Sequence, residues 1–321
     1  MKLCLVYSPK DTKLVSTAYC SIFKDMFLAL IERFNCKCFV TGDCNAQDID
    51  ADVIFFFDPH AQHHINIQGV DKHHAIKMEY WNDMHQEESK GVYRSVGVEV
   101  HKLGQEQRAV RAYQRGTRFI VSAAKYAFYD HFGKYFGTDT ESMFLHFPFA
   151  PVSVSSVPFD DRNVAVLGNG AIHGGYNNGY DFRAWAFKQP CIEFVEHCLF
   201  HIKTPKAADY GNFLSTYAGA LALCTPSPVP KYYEIPAAGC VTFAEYHLEH
   251  EELGFKDMKT CIYVNKDNFV KRVEDFLDDP DQYQGIADEG RRLIETKYTA
   301  KHFAEFIHKK VRENILQCDQ Y

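Results

Sequence analysis

Apolar positions along the chain alternate between short strand-like runs and longer stretches with helical spacing. The fully apolar run at 54–57 suits a central parallel strand that is covered on both faces. Between Ile22 and Phe34 an apolar residue recurs at every fourth position, which predicts an amphipathic helix. The strand-like runs before residue 148 occur at 2–7, 37–40, 52–57, 75–81, 118–123 and 142–147.

A stretch without periodicity divides this alternation into two halves. Residues 148–162 are rich in proline and serine, which indicates a linker. The alternation then restarts, with strands predicted at 163–168, 219–224, 240–243 and 261–264 and helices around 180–200 and near 231–238. The pattern predicts an α/β protein with two doubly wound Rossmann-like domains that face one another across a cleft.

We place the first domain at 1–155 and the second at 156–298. Apolar residues at helical spacing then predict a closing helix within 299–321, which we expect to pack back toward the first domain. The stripe consists of Phe303, Ile307, Val311 and Ile315.

Composition excludes several classes of protein. The chain has 321 residues, of which 46% are hydrophobic, so it can form real cores and is not disordered. A net charge of −7 excludes the overall basic field of a duplex-DNA binder. The odd number of cysteines, eleven, and a strand-like start in place of a signal peptide predict reduced thiols in the cytoplasm. No apolar run has the 18 residues of a membrane span.

A glycine-rich turn follows the first strand of the second half. The sequence VAVLGNG places Gly168, Asn169 and Gly170 at the carboxyl end of that strand. Glycines there let a ligand approach the backbone, and free amides can hold phosphate. The alternative is a tight turn with glycine at positive φ.

A short helix predicted near 231–238 begins with a base and an acid. Its start lies after a strand and a proline-rich loop, where α/β folds place ligands. Lys231 would add a full charge to the helix N-terminus, which suits a diphosphate. Glu234 could accept hydrogen bonds from sugar hydroxyls, or it is only a favourable acid in the first turn.

Two stretches carry a resemblance to a known family. The resemblance is to the CgeB-like (spore-maturation-type) glycosyltransferases. One stretch consists of PKYYEIPAAGCVTFAEYHLEHEELGF with the segment from CIYVNKD to AEF, and the other of DRNVAVLGNG with YDFRAW. The resemblance covers roughly 142–310, and the first half more faintly. It implies a GT-B fold, a nucleoside diphosphate sugar bound by the second domain, an acceptor met by the first, and no metal or other cofactor. The donor-binding residues that it and the motifs indicate are Gly168, Asn169, Gly170, Arg183, Lys231, Tyr232 and Glu234.

The resemblance favours a retaining transfer, but one position departs from the usual pattern. Many retaining glycosyltransferases carry a second acid eight residues before the counterpart of Glu234, where this chain has Pro226. The stereochemistry therefore stays open.

Acidic and histidine side chains follow two strands of the first half. Asp58 and His60 come after the run at 52–57, and Asp83 follows the next strand, so we predict these three as catalytic residues at the cleft. Histidines are frequent here, but the pairs His63-His64 and His73-His74 lack the spacing of metal ligands. No metal site is predicted.

A basic helix lies within 101–118. Arg108, Arg111 and Arg115 share one face of it, and we predict that they bind an anionic acceptor, with a solvated charged face as the alternative. A glycan, a protein or, less favoured, a nucleic acid are possible acceptors.

Two other functions fit the same features. One is a nucleotide-sugar epimerase with this fold, and the other is a non-catalytic nucleotide-sugar-binding protein that kept Lys231 and Glu234 only for binding. Fold alone does not separate them from a transferase.

Overall fold

The structure is a computed structural model of the chain. It describes residues 1–8, 22–42, 44–57, 67–82, 92–95, 98–101, 104–152, 154, 157–170, 180–195 and 209–318. Contacts divide the chain into two compact units. The first contains residues 1–8, residues 23–148 and the last helix, and the second contains residues 149–299.

A six-stranded sheet forms the centre of the first unit. Its strands are β1 (Leu3–Tyr7), β2 (Lys37–Val40), β3 (Val53–Phe57), β4 (Ile76–Tyr80), β7 (Thr117–Ser122) and β8 (Phe144–His146). Their order in the sheet is β2-β1-β3-β4-β7-β8, and every pair of neighbours is parallel. A separate antiparallel hairpin is formed by β5 (Val92–Ser95) and β6 (Val98–His101). The helices of the first unit are α1 (Ile22–Phe34), α2 (Gln105–Arg115), α3 (Lys125–Phe136), α4 (Thr140–Met143) and the last helix, α11 (Ala300–Cys318).

A five-stranded parallel sheet forms the centre of the second unit. Its strands are β9 (Asn163–Asn169), β10 (Glu193–Val195), β11 (Tyr217–Ala222), β12 (Val241–Ala244) and β13 (Ile262–Tyr263). Their order in the sheet is β10-β9-β11-β12-β13. The helices are α5 (Asp181–Ala186), α6 (Tyr210–Ser215), α7 (Lys231–Ala237), α8 (Leu248–Glu252), α9 (Phe269–Asp278) and α10 (Gln284–Lys297). Two parallel-sheet α/β domains confirm the predicted fold class.

Continuous apolar runs form the central strands, as their pattern predicts. All five residues of β3 are buried, and so are all six of β11, because helices cover both faces of each sheet. In the first unit, Phe303 of α11 packs against Tyr80 and Phe147, with ring centroids 6.1 and 5.4 Å apart. Phe303, Ile307 and Val311 of the apolar stripe are buried and thus belong to the core of the first unit.

The short helix α7 is held at both ends. Tyr233 is fully buried against Phe149 and Phe255. At the other end Gly239 takes a φ of 73°, in the left-handed region that ends helices. The buried guanidinium of Arg162 donates to the carbonyl of Gly239 at 2.5 Å and to that of Ala238, and so satisfies the carbonyls of the turn that ends the helix.

The structure differs from the predicted elements in three places. The stretch predicted as one helix around 180–200 contains α5 and then β10, and the sequence pattern missed the hairpin of β5 and β6. The run predicted as a strand at 142–147 begins inside α4, and β8 starts only at Phe144. Within the part of the chain that the structure describes, no helix is both long and apolar enough to cross a membrane.

Candidate functional site

Two cationic side chains converge on the turn that follows β9. Gly170 has a φ of 133°, a conformation that favours glycine. A Cβ at this position would lie 3.2 Å from Cε of Lys231 and 3.6 Å from Nη1 of Arg183. The two side chains come from the starts of α7 and α5, so three elements meet at the carboxyl edge of the sheet. This is where doubly wound folds bind ligands.

Lys231 is held in place by a tyrosine and an asparagine. Its Nζ donates to the hydroxyl of Tyr210 and lies 4.6 Å from the centre of that ring. Both Nζ and the Tyr210 hydroxyl lie 3.4 Å from Oδ1 of Asn169. The Asn169 amide in turn donates to the carbonyl of Val195 at 2.9 Å, which orients its oxygen toward the ammonium group. The cation is therefore positioned before any ligand arrives.

Arg183 is positioned by the end of the neighbouring strand. It is 4% exposed, its Nε donates to the carbonyl of Leu223 at 2.7 Å, and its guanidinium lies 3.9 Å from the Tyr180 ring centre. The cation–π contact and the hydrogen bond compensate part of the cost of burying a charge. A diphosphate bound at the Gly170 turn would meet a fixed positive charge here.

The first amides of α7 do not supply the positive charge predicted for this site. The amides of Tyr232 and Tyr233 donate to the carbonyls of Val229 and Pro230 at 2.9 Å, and that of Glu234 also bonds to Pro230. These groups are satisfied by the preceding loop, so the charge comes from the side chains. Glu234 itself is half-buried, and its contact with a ribose or sugar stays a prediction.

Two predicted donor-binding residues lie in the interior instead. Tyr232 is fully buried, and its ring packs edge-on against His247 and His250. A Cβ at Gly168 would lie 2.8 Å from the side chain of Ile192, so this glycine permits close packing within the domain. Both residues are packed within the domain, and their assignment to donor binding stays a prediction.

The predicted catalytic residues Asp58, His60 and Asp83 lie outside the described residues. They follow β3 and β4, which are adjacent parallel strands. Their catalytic role stays a prediction. Among the described residues, no group of three or more histidines, cysteines, aspartates or glutamates could hold a metal ion.

The arginines of α2 surround a buried carboxylate. Arg111 and Arg115 lie 3.4 and 3.3 Å from the two oxygens of Glu79, which is 1% exposed. Burial alone would raise the pKa of Glu79, but the two guanidinium groups and hydrogen bonds from Trp81 and a threonine lower it to about 2. Arg108 is also buried and lies 4.7 Å from the Trp81 ring centre.

This arrangement corrects the alternative of a solvated arginine face. Arg108 and Arg115 are 4% and 3% exposed, so most of this charge lies inside the domain. Their predicted contact with an acceptor stays a prediction, and it has to account for the pairing with Glu79. Of the three, Arg111 is the most accessible, with 13% of its side chain exposed.

Sequence reasoning missed Tyr210 and Glu79. Tyr210 starts a six-residue helix with no strong period, and only its distance from Lys231 in the folded chain gives it a role. Glu79 lies inside a strand-like run, where a buried acid requires partners. That requirement was a usable signal, and the nearby arginine-rich helix was the source of partners.

Comparisons with known proteins agree with this architecture. Residues 156–309 match a family model described as glycosyl transferase-like, and no curated protein sequence gave a significant match. HepE from Anabaena, solved with UDP and glucose, has a TM-score of 0.58 at 10% identity over 98% of this chain and 100% of its own. T4 phage β-glucosyltransferase has a TM-score of 0.55 at 12% identity over 97% and 99%. The chain has a GT-B fold.

A further structure of the GT-B type, T4 phage BGT with UDP and Mn²⁺, has a TM-score of 0.57 at 11% identity over 97% of this chain and 99% of its own. At these identities the likeness establishes the fold alone. The family match covers most of the second unit and the start of the last helix, and it includes Gly170, Arg183 and Lys231. The cationic cluster therefore belongs to the part of the chain that resembles glycosyltransferases in sequence.

Proposed function

We propose that this protein is a glycosyltransferase that moves a sugar from a nucleoside diphosphate sugar to an acceptor. The observation that carries the proposal is the convergence of Lys231 and Arg183 on the Gly170 turn. Two fixed cations at the carboxyl edge of a parallel sheet suit a diphosphate. The match of residues 156–309 and the UDP present in similarly folded proteins support the same donor class.

The chemical work assigned to these residues is electrostatic. As the bond between the sugar and the diphosphate breaks, negative charge builds on the leaving oxygen. Lys231 and Arg183 would stabilise that charge, and they need little reorganisation because Tyr210, Asn169 and Leu223 already hold them. We further propose the CgeB-like affiliation, a retaining outcome, a cytoplasmic location and independence of metals, as the sequence motifs suggest.

A ligand screen followed by a turnover assay tests the proposal. Thermal unfolding would be measured with nucleosides, nucleoside diphosphates and their sugars. We expect stabilisation by a diphosphate and its sugar but not by the nucleoside, followed by slow hydrolysis of the sugar nucleotide. A ligand at about 100 times its Kd adds about 2.7 kcal/mol, which such a scan detects. No stabilisation by any diphosphate would contradict the proposal.

The same screen separates the alternatives. Stabilisation without turnover, with every acceptor tested, would favour a non-catalytic binding protein. Release of free nucleotide and a rearranged sugar in the absence of acceptor would favour an epimerase. Where transfer occurs, the anomeric proton signals of the product distinguish a retaining from an inverting reaction.

Glu234→Ala is expected to weaken donor binding and turnover while the fold stays intact. Glu234 lies one turn after Lys231, and a charge-assisted hydrogen bond to a hydroxyl is worth about 1.5–3 kcal/mol. Donor affinity would be measured by calorimetry, with Glu274→Ala, an exposed acid on α9 of the same unit, as the control. Unchanged donor affinity in Glu234→Ala would refute the assignment.

Turnover is expected to survive removal of divalent metals. The proposed stabilisation of the diphosphate comes from Lys231 and Arg183, which would take the place of a metal ion. The protein would be dialysed against EDTA and its donor hydrolysis compared before and after. Loss of activity with recovery on adding Mn²⁺ or Mg²⁺ would contradict this expectation.

A further inference from the structure

A cavity opens at the carboxyl ends of β12 and β13. Its volume is about 470 Å³, within the range of small-molecule sites. Its walls include Phe182, Glu245, Tyr246 and Tyr263, together with Lys266 from the loop before α9. All of these residues belong to the second unit. None of them is among the donor-binding residues predicted from the sequence.

The cavity lies at the same edge of the sheet as the cationic cluster, on the other side of β11. The strand order places β11 between β9, which ends at Gly170, and β12, which ends near Glu245. Phe182 lines the cavity, and its neighbour Arg183 belongs to the cluster. The charge of Arg183 also lowers the pKa of Glu245, so the two side chains interact electrostatically. A ligand held at the cluster can therefore extend into the cavity.

Glu245 has acceptor capacity that the described residues leave unused. Its Oε1 accepts a hydrogen bond from the Thr225 hydroxyl at 3.1 Å. Its Oε2 is buried and accepts no hydrogen bond of good geometry from the described residues. Burial raises the pKa of Glu245, and this outweighs the opposing effects of Thr225, Arg183 and the Cys224 amide. Because Glu245 lines the cavity, a ligand that brings hydroxyl donors can bond to its carboxylate.

Apart from Lys266, the charged side chains of the other walls are paired, which favours a neutral, hydroxylated ligand over a second anion. Asp257 and Arg272 form a two-point ion pair, at 2.6 and 2.9 Å, and so largely neutralise one another. Tyr246 is 53% exposed, and its hydroxyl donates to Glu251 at 2.6 Å, which restrains the ring at the cavity wall. An accessible ring beside a carboxylate suits the apolar face and hydroxyl groups of a sugar.

We propose that this cavity holds the sugar moiety of the donor, with Glu245 accepting hydrogen bonds from its hydroxyls and Tyr246 packing against its apolar face. The inference rests on the proposed function, because it takes the diphosphate to lie at Lys231 and Arg183. A nucleotide sugar has its diphosphate in the middle. With the sugar toward β12 and β13, the nucleoside lies toward β10.

A comparison of two ligands tests this assignment. UDP and UDP-glucose, the ligands found in similarly folded proteins, would be titrated by calorimetry into wild type, Glu245→Gln and Tyr246→Ala. We expect Glu245→Gln to weaken UDP-glucose binding about tenfold or more while UDP binding stays unchanged. Tyr246→Ala is expected to act in the same direction, which keeps the test valid if one variant folds poorly.

Glu193→Gln provides a matched control. Glu193 also accepts a hydrogen bond from a hydroxyl, that of Tyr217 at 2.7 Å, but it lies at the amino end of β10, away from the ligand edge. Its variant should bind both ligands as wild type does. Equal weakening of UDP and UDP-glucose in Glu245→Gln would place the nucleoside in the cavity and overturn the assignment.

The remaining outcomes are also decisive. Unchanged binding of UDP-glucose in both cavity variants would show that the sugar lies elsewhere, while the proposed function would stand. Failure of wild type to bind either UDP or UDP-glucose would contradict the proposed function with this donor and, with it, the cavity assignment.

Discussion

Glu79→Gln is expected to lower the free energy of unfolding by about 3–5 kcal/mol, because it removes one partner of a buried ion pair. The carboxylate lies 3.3 and 3.4 Å from the guanidinium groups of Arg115 and Arg111. Glutamine has nearly the same shape and can keep the hydrogen bonds from Trp81 and Thr117 in part. The loss would therefore report the uncompensated charge of the two arginines.

The pH dependence of stability gives a second view of the same group. The pKa of Glu79 is about 2 in the folded protein, against 4.5 for an ordinary glutamate. A lowered acid pKa contributes stability that is complete above the unfolded-state value and is lost as the pH falls through the folded-state value. Stability should therefore fall by about 3 kcal/mol between roughly pH 5 and pH 2 through this group alone.

Urea unfolding of wild type and Glu79→Gln between pH 3 and pH 7 measures both effects. The control is Glu106→Gln, an exposed acid on the same arginine-rich helix. The difference between wild type and Glu79→Gln should shrink as the pH falls, whereas Glu106→Gln should follow wild type. Equal stability of Glu79→Gln and Glu106→Gln at pH 7 would show that the ion pair contributes nothing.

This network changes how the acceptor hypothesis can be tested. Replacing Arg108, Arg111 and Arg115 together would leave Glu79 buried without its cations, so lost acceptor affinity could not be separated from unfolding. Arg111→Gln alone keeps Arg115 on Glu79 and is the informative variant. If Arg111 meets an anionic acceptor, its loss should weaken acceptor binding and reduce the salt dependence of that binding.

Lys231→Ala is expected to reduce kcat/KM for the donor by about 100-fold or more. This is the magnitude seen when one group that stabilises developing charge is removed from an active site. The ammonium group is fixed by Tyr210 and Asn169 at the Gly170 turn, so its effect should appear fully in the transition state. Binding of UDP should also weaken, because the diphosphate loses one charge-assisted contact.

A comparison of UDP with uridine tests whether Lys231 acts on the diphosphate. UDP and uridine would be titrated into wild type and Lys231→Ala, with Lys271→Ala as the control because Lys271 is an exposed lysine of the same unit. Lys231→Ala should weaken UDP binding and leave uridine binding unchanged. Equal weakening of both ligands, or wild-type turnover in the variant, would refute the assignment of Lys231 to the diphosphate.

The sequence by itself determined the two α/β domains and the edge of the sheet at which the donor site is proposed. Runs such as 54–57 can be buried only in a sheet covered on both faces, and a glycine-rich turn after such a strand has one position in a doubly wound fold. The lysine at the start of the next short helix then falls at the same edge. The strands, the turn and the helix start could be predicted because they follow from the local apolar pattern and from the connections of a doubly wound fold.

Only the tertiary structure decided which side chains from separate elements contact one another. Helical spacing placed Arg108, Arg111 and Arg115 on one face but could not show that the face lies against Glu79, which precedes Arg111 by 32 residues. Tyr210 and Lys231 are 21 residues apart, and Thr225 and Glu245 are 20 apart. Such contacts depend on the packing of separate elements, whereas periodicity records only the neighbours within one helix or strand.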